Sequence, residues 1–149
     1  MAAARILIVD DDVETREFLG EELRDLGHEL IYAADGVQAL SLMRREQPDL
    51  MLLDLRLPGG DGFSVLEQLR GIPDFASIPV IVFSGMRSPD AEERALMLGA
   101  RVFVHKSFRG NELIEAIAVA LLVAVVAQQA DDLALREQAP VGPLPRRSA

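Results

Sequence analysis

Cysteine is absent from the 149 residues, which removes disulfide scaffolds, thiolate metal sites and cysteine nucleophiles together. Basic charge is scarce: 15 Lys and Arg stand against 24 Asp and Glu, a net charge of −9. That balance disfavours a nucleic-acid-binding surface, and Arg146 and Arg147 near the end are too few to reverse it. No secretory pattern opens the chain, because Met1 to Arg5 lead into a short apolar run that stops at Asp10, Asp11 and Asp12. Internal repeats are missing as well. What is present is the composition of one globular domain of ordinary size, half apolar and 26% charged. A soluble cytoplasmic protein is the expectation.

Short apolar runs alternate with longer amphipathic stretches. Ile6–Val9 reads as a strand buried on both faces. Val13–Leu26 reads as a helix with Leu19, Leu23 and Leu26 on one face, stopped by Gly27. Leu30–Ala34 is a weaker strand, placed nearer the sheet edge. Asp35-Gly36 opens a helix in which Val37, Leu40 and Met43 share a face, and Pro48 closes it. Leu50–Leu53 is a third strand ending at Asp54, followed by a loop with Pro58, Gly59, Gly60 and Gly62 and a short helix over Phe63–Leu69. Val80–Phe83 is a fourth strand, and Pro89 starts a helix running to about Leu98 and Gly99. Val102–Val104 is a fifth strand, and a last helix begins near Gly110 or Asn111. Strands alternating with helices imply a parallel sheet covered on both faces. From Ala139 onward, Pro140, Pro143 and Pro145 with few core-forming residues read as a disordered tail.

In an open α/β sheet, ligands bind at the carboxyl ends of the strands. After the first strand come Asp10, Asp11 and Asp12; after the third, Asp54; at the end of the fourth, Ser84 and Gly85; after the fifth, Lys106. Clustered carboxylates repel, and a hard divalent cation with oxygen-only ligands, Mg²⁺ or Mn²⁺, resolves the repulsion. A lysine and a hydroxyl nearby suit the remaining oxygens of a phosphoryl group. Asp54, central in the sheet and followed by a Gly-rich loop, suits the nucleophile. Each feature has a plainer reading: the triplet can cap the first helix, and Asp12 is expected to do so. Asp54 before a Pro-Gly turn is ordinary loop chemistry, and most lysines are solvated. The joint pattern carries the functional reading.

The stretches ILIVDDD at Ile6–Asp12, LLDLRLPGGDGF at Leu52–Phe63, IPVIVFSG at Ile78–Gly85 and FVHKSF at Phe103–Phe108 resemble the receiver domain of two-component response regulators, the CheY-like group, over roughly Arg5–Val126. The resemblance implies a flavodoxin-like (βα)5 fold, a doubly wound parallel sheet of strand order 2-1-3-4-5. It implies that Asp54 accepts a phosphoryl group from the phosphohistidine of a partner histidine kinase. It also implies that Asp10, Asp11, Asp54 and the main-chain carbonyl of Arg56 hold Mg²⁺. Lys106 would pair with the acyl phosphate, Ser84 would hydrogen-bond a phosphate oxygen, and Phe103 would be the aromatic switch that turns inward as Ser84 moves. The fourth helix, fifth strand and fifth helix would be the output face.

Three departures from the family pattern matter. Ser107 stands where the family has a proline in a cis peptide; a cis bond before a non-proline costs ~2.5–4 kcal/mol, so a trans peptide is expected. The switch aromatic, Phe103, lacks a hydroxyl. Arg56 and Met86, at positions that tune autodephosphorylation in the family, are poor at orienting water, so a long-lived phosphoryl group is expected.

The last helix is the least family-like part. From Leu113 to Ala127 only Glu115 is charged, a run shorter than the ~20 residues a membrane span needs. Val119, Leu122, Val123 and Val126 instead read as a second apolar face for a partner, and Asp131–Gln138 as an extension of the same helix. A homodimer through this helix is favoured over a heterologous partner. The domain organisation expected is a receiver over residues 1–127, then the helix extension and Pro-rich tail over 128–149. Nothing after Gln138 resembles a DNA-binding or catalytic output domain, so a stand-alone receiver, or one excised from a larger protein, is expected. It would be no enzyme beyond its own phosphorylation and dephosphorylation, signalling to an unidentified protein target. Three other functions fit the sequence less well. A small-molecule phosphatase would need a cap domain, a degenerate receiver would act only as an interaction module, and a flavodoxin would place its phosphate against three aspartates.

Overall fold

The computed structural model describes residues 3–58, 61–107, 111–138 and 142. Strands and helices alternate as β1 (Arg5–Val9), α1 (Val13–Asp25), β2 (Glu29–Ala33), α2 (Gly36–Glu46), β3 (Leu50–Leu53), α3 (Gly62–Arg70), β4 (Val80–Ser84), α4 (Pro89–Met97), β5 (Val102–His105) and α5 (Glu112–Gln138), with a 3₁₀ turn at Pro73–Phe75. The strands pair in parallel in the order β2-β1-β3-β4-β5. This is the flavodoxin-like order, and the strand expected near the edge is at the edge. The expected tail beyond Ala139, Gly59 and Gly60 of the loop, Phe108 and the Gly110 start of the last helix lie outside the described residues, Gly142 of the tail excepted.

Side chains alternate across the pleat, so each uniformly apolar strand feeds two cores. Leu7, Val9, Met51, Leu53 and Val82 pack with Met43 of α2, Leu66 of α3 and Ala95 of α4. Ile6, Ile8, Leu50, Leu52 and Ile81 pack with Leu19 and Leu23 of α1 and Leu113 and Ile117 of α5. A parallel sheet buried on both faces accounts for runs such as Leu50–Leu53 carrying no polar residue.

The helix ends follow their capping chemistry. Asp12, Asp35 and Asp61 cap α1, α2 and α3, their side chains accepting from the backbone N–H of Glu14, Gln38 and Ser64. Gly27 and Gly99 lie past α1 and α4 with φ of 89° and 109°. The N–H groups that follow, His28 to Leu23 O and Ala100 to Ala95 O, close Schellman motifs.

Three expectations need correction. Leu26 is the C-cap of α1 rather than part of its inward face, and is exposed. Val37 is exposed as well; the buried face of α2 is Ala39, Leu42 and Met43, since the helix packs one residue-row away from the stripe read from Val37. The third concerns α5, which is a single helix of 27 residues, about 40 Å long. By length and composition it could cross a membrane, contrary to the expectation of a run too short to span one. Leu113, Ile117 and Ala120 are buried against the sheet, which ties the first half of the apolar stretch into the domain core. The strands span only about 15 Å, so the helix overruns the sheet, and every residue from Val125 to Gln138 is exposed.

Candidate functional site

Because all five strands run parallel, their carboxyl ends share one rim. Asp10 follows β1, Asp54 follows β3, Ser84 ends β4 and Lys106 follows β5. The backbone anchors these positions: Asp10 N–H donates to Ala33 O at 3.0 Å, Asp54 N–H to Val9 O at 2.9 Å and Lys106 N–H to Ser84 O at 2.9 Å. Residues far apart in sequence therefore meet at the rim with their directions set by the sheet.

The Lys106 ammonium lies between two carboxylates. Its Nζ is 2.7 Å from Asp10 Oδ2 and 3.0 Å from Asp54 Oδ2. Both carboxylates are buried, Asp10 to 2% and Asp54 to 7% residual exposure, so each would be costly without an opposite charge. Burial pushes the Asp10 carboxyl above the ordinary carboxylate range, against the pull of Lys106 and of the Asp12 N–H. Burial alone would lower the Lys106 ammonium, but its hydrogen bonds to Asp10 and Asp54 and their charges outweigh it and raise it. Lys106 is thus charged at ordinary pH and holds the two acids together.

Asp11 stands beside them, exposed at the rim. Carboxylate oxygens of Asp10, Asp11 and Asp54 lie within 4.8 Å of one another. An all-oxygen set of that size fits a hard divalent cation, which takes one or two carboxylates and keeps water on its open positions. Arg56, whose main-chain carbonyl was the fourth expected ligand, lies next to this cluster: its N–H donates to Asp54 Oδ1 at 3.2 Å. Asp12 turns away to its capping role, with Thr15 Oγ1 donating to Oδ2 at 2.6 Å, and that bond holds its carboxyl below the usual range.

Ser84 is fully buried, its Oγ accepting from Met86 N–H at 3.2 Å. Phe103 lies inward, buried within the core shared with α2, α3 and α4, and its ring meets the edge of His105 at 5.0 Å. The Lys106–Ser107 peptide is trans, as expected. All seven expected site residues are among the described residues, and Asp10, Asp11, Asp54 and Lys106 form one cluster.

Sequence reasoning missed two contributors. Phe83 lies under Lys106, with Nζ 5.9 Å from its ring centroid, at the outer limit of a cation–π contact. Gly62 is the other: a Cβ there would lie 2.6 Å from the Asp54 carbonyl oxygen and 2.8 Å from Leu55 Cα. Only glycine lets α3 start this close behind Asp54. In the sequence Gly62 was read only as part of the loop that follows Pro58.

Comparison with known proteins agrees with the geometry. The family model "Response regulator receiver domain" matches residues 6–118. The chain is 35% identical over 117 residues to sporulation initiation phosphotransferase F of Bacillus subtilis, covering 78% of this chain and 93% of that protein. It is 36% identical over 113 residues to a probable transcriptional regulator, ycf27, of Porphyridium aerugineum, covering 76% of this chain but 46% of the relative. The chain thus spans about half the length of such regulators. Among solved structures, NtrX from Brucella abortus superposes with a TM-score of 0.83 at 31% identity, over 96% of this chain and 32% of that one. The Mn²⁺-bound form of the response regulator Rcp1 superposes with a TM-score of 0.68 at 30% identity, over 76% and 88%. With its sheet order, its acidic rim and these matches, the chain belongs to the receiver-domain family of two-component response regulators.

Proposed function

We propose that the protein is a phosphoryl-accepting signalling switch, with Asp54 as the acceptor. The observation that carries this reading is the Lys106 ammonium bridging Asp10 and Asp54 beside Asp11 at one rim of the sheet. A carboxylate oxygen of Asp54 attacks the phosphorus of a phosphohistidine on a sensor kinase or phosphotransfer protein. The P–N bond breaks with its electron pair going to the imidazole nitrogen, and an acyl phosphate forms on Asp54. Asp10, Asp11, Asp54 and the Arg56 carbonyl would hold Mg²⁺, which when bound would supply the positive charge that admits phosphoryl oxygens to an acidic rim. Lys106 keeps an ammonium at the acceptor and pairs with the added charge. Ser84 exchanges its bond from Met86 N–H for one donated to a phosphoryl oxygen, and Phe103 fills the space beside it.

The readout is protein–protein contact with a downstream target, with no nucleic acid and no membrane, and a homodimer through the last helix belongs to the same reading. A cytoplasmic location, a receiver body over residues 1–127 and a helical extension with a tail over 128–149 complete it. Intact-protein mass spectrometry after incubation with a small acyl phosphate and Mg²⁺ tests the chemistry. One added phosphoryl group is expected, lost in Asp54→Asn and lost with chelator. No gain in the presence of bound Mg²⁺ would replace this reading with a degenerate receiver that works as a phosphorylation-independent interaction module.

A further inference from the structure

The face shared by α2 and α3 carries a groove that phosphoryl chemistry does not use. Val37, Leu40, Ser41, Arg44 and Arg45 of α2, with Gln68 of α3, line a concavity of about 560 Å³. The α2 residues fall at i, i+3, i+4, i+7 and i+8, the spacing of one helical face. That face lies opposite the buried Ala39, Leu42 and Met43. Val37 is 82% exposed, the highest value for a large hydrophobic side chain among the described residues. Leu40 lies half-buried beside it, packed on the core. Two helical turns, about 10 Å, separate this apolar end from Arg44.

Charge in the groove runs against the rest of the chain. The net charge is −9, yet two guanidinium groups and no carboxylate line the groove. α2 and α3 hold one acidic residue each, and both are engaged elsewhere. Glu46 is shared between Arg5 at 3.0 Å and Arg45 at 3.3 Å, and Glu67 turns to Arg94 of α4 at 3.9 Å. Asp35 and Asp61 are occupied as helix caps. Arg44 is exposed and makes no ion pair among the described residues. The acids nearest in sequence have thus been drawn off, and a cation is left unmatched beside an exposed valine.

We infer that this groove docks an acidic segment of a partner protein, an apolar side chain over Val37 and Leu40 and carboxylates on Arg44 and Arg45. Guanidinium groups take carboxylates in bidentate pairs, and the apolar end supplies an anchor point. Charge excludes other occupants. The chain's own residues 139–149 include Arg146 and Arg147 and no acid, so they are repelled. Two cations on a chain of net −9 fall short of the clusters of about 4–8 that anionic lipid selects, and of the basic patch that nucleic acid needs. The inference goes beyond the proposed function and stands on α2 and α3 alone, so the two can fail separately.

Amide NMR titration of the full chain tests it. The probe is a helical peptide of Leu, Ala and Glu, with Leu at i and i+3 and Glu at i+7 and i+8. Saturable shifts confined to the amides of residues 37–45 and Gln68 are expected at millimolar peptide. Arg44→Glu is expected to weaken binding at least about tenfold, and Val37→Ser to weaken it measurably. Arg136→Glu on α5, which alters net charge equally at another exposed site, is expected to leave it intact. Circular dichroism confirms that the variants fold. No saturable shift would overturn the inference, as would unchanged binding in Val37→Ser or equal weakening by Arg44→Glu and Arg136→Glu. So would equal binding of a peptide with Lys in place of Glu, or groove shifts produced by phosphatidylglycerol vesicles or RNA and not by the peptide. Groove shifts that follow protein concentration alone would assign the site to a second copy and overturn it too. Asp54→Asn is expected to bind the peptide as wild type does while taking no phosphoryl group, which keeps the two readings distinguishable.

Discussion

Replacing Gly62 by alanine adds one methyl group where the fold has no room for it. The new Cβ would lie 2.6 Å from the Asp54 carbonyl oxygen and 2.8 Å from Leu55 Cα. Both are backbone atoms, so no side chain can swing aside. The backbone angle is not the obstacle, since Gly62 is not among the positive-φ glycines, and alanine is intrinsically better than glycine in a helix by about 1 kcal/mol. The clash must therefore be relieved by moving the start of α3 away from the end of β3, stretching the 2.8 Å bond from Gly62 N–H to Leu55 O. Overpacking of this kind costs about 1–3 kcal/mol. Set against the gain of about 1 kcal/mol, the net loss is about 1 kcal/mol, which at a urea slope of about 1–3 kcal/mol per molar lowers the unfolding midpoint by about 0.5 M. Gly85 is the control: a Cβ there meets nothing within 4 Å, and Gly85→Ala is expected within about 0.5 kcal/mol of wild type. Urea unfolding followed by circular dichroism reads both. A Gly62→Ala protein as stable as wild type, or equal losses in the two variants, would refute the reasoning. Because the displaced backbone carries Asp54, the same variant should also take up phosphoryl groups more slowly.

Lys106→Met leaves Asp10 and Asp54 buried without their shared counter-charge; a loss of about 3 kcal/mol is expected without metal, largely recovered in millimolar Mg²⁺, and an unchanged urea midpoint would show that Lys106 does not hold the acids. Asp35→Ala removes the acceptor for Gln38 N–H at 2.8 Å; it should cost about 1 kcal/mol, seen in calorimetry as a fall of about 2–4 °C in Tm, and no fall would deny the cap. With Arg56 and Met86 where a water-orienting acid or amide would stand, the phosphoryl group on Asp54 should persist for many minutes or longer; decay within seconds, followed by mass spectrometry, would contradict this.

Most of the element order was legible because its cause is local. Leu50–Leu53 has no polar residue, and a strand with helices on both faces is the simplest way to bury it. Asp12, Asp35 and Asp61 announce helix starts through their own side chains. Val37 and Leu26 were misplaced for the opposite reason: which row of a helix faces inward depends on where the sheet lies, and an apolar residue in the first turn or at the C-cap costs little when exposed. The reach of α5 to Gln138 was legible as an extension of the same helix, although its overhang is held by helix propensity rather than by burial. The rim was legible in its membership and not in its wiring. That Asp10, Asp54 and Lys106 share a rim follows from parallel strands, which the alternation of strands and helices implied; that one ammonium touches both acids depends on strand order and on the reach of Lys106 from β5 past β4 to the tips of β3 and β1. Gly62 escaped because a missing Cβ leaves no mark until the backbone behind it is in place.

The ion pair at the rim also has a consequence for how the chain is made. Its acids come from the first and third strands and its base from just after the fifth. During synthesis, Asp10, Asp11 and Asp54 leave the ribosome first and remain an uncompensated negative cluster until Lys106 follows. A nascent chain stalled before Lys106 carries the acceptor aspartate without the cation that steadies it, and truncated products share that defect. Competence to receive a signal therefore arrives late in synthesis, shortly before the helix that continues the chain.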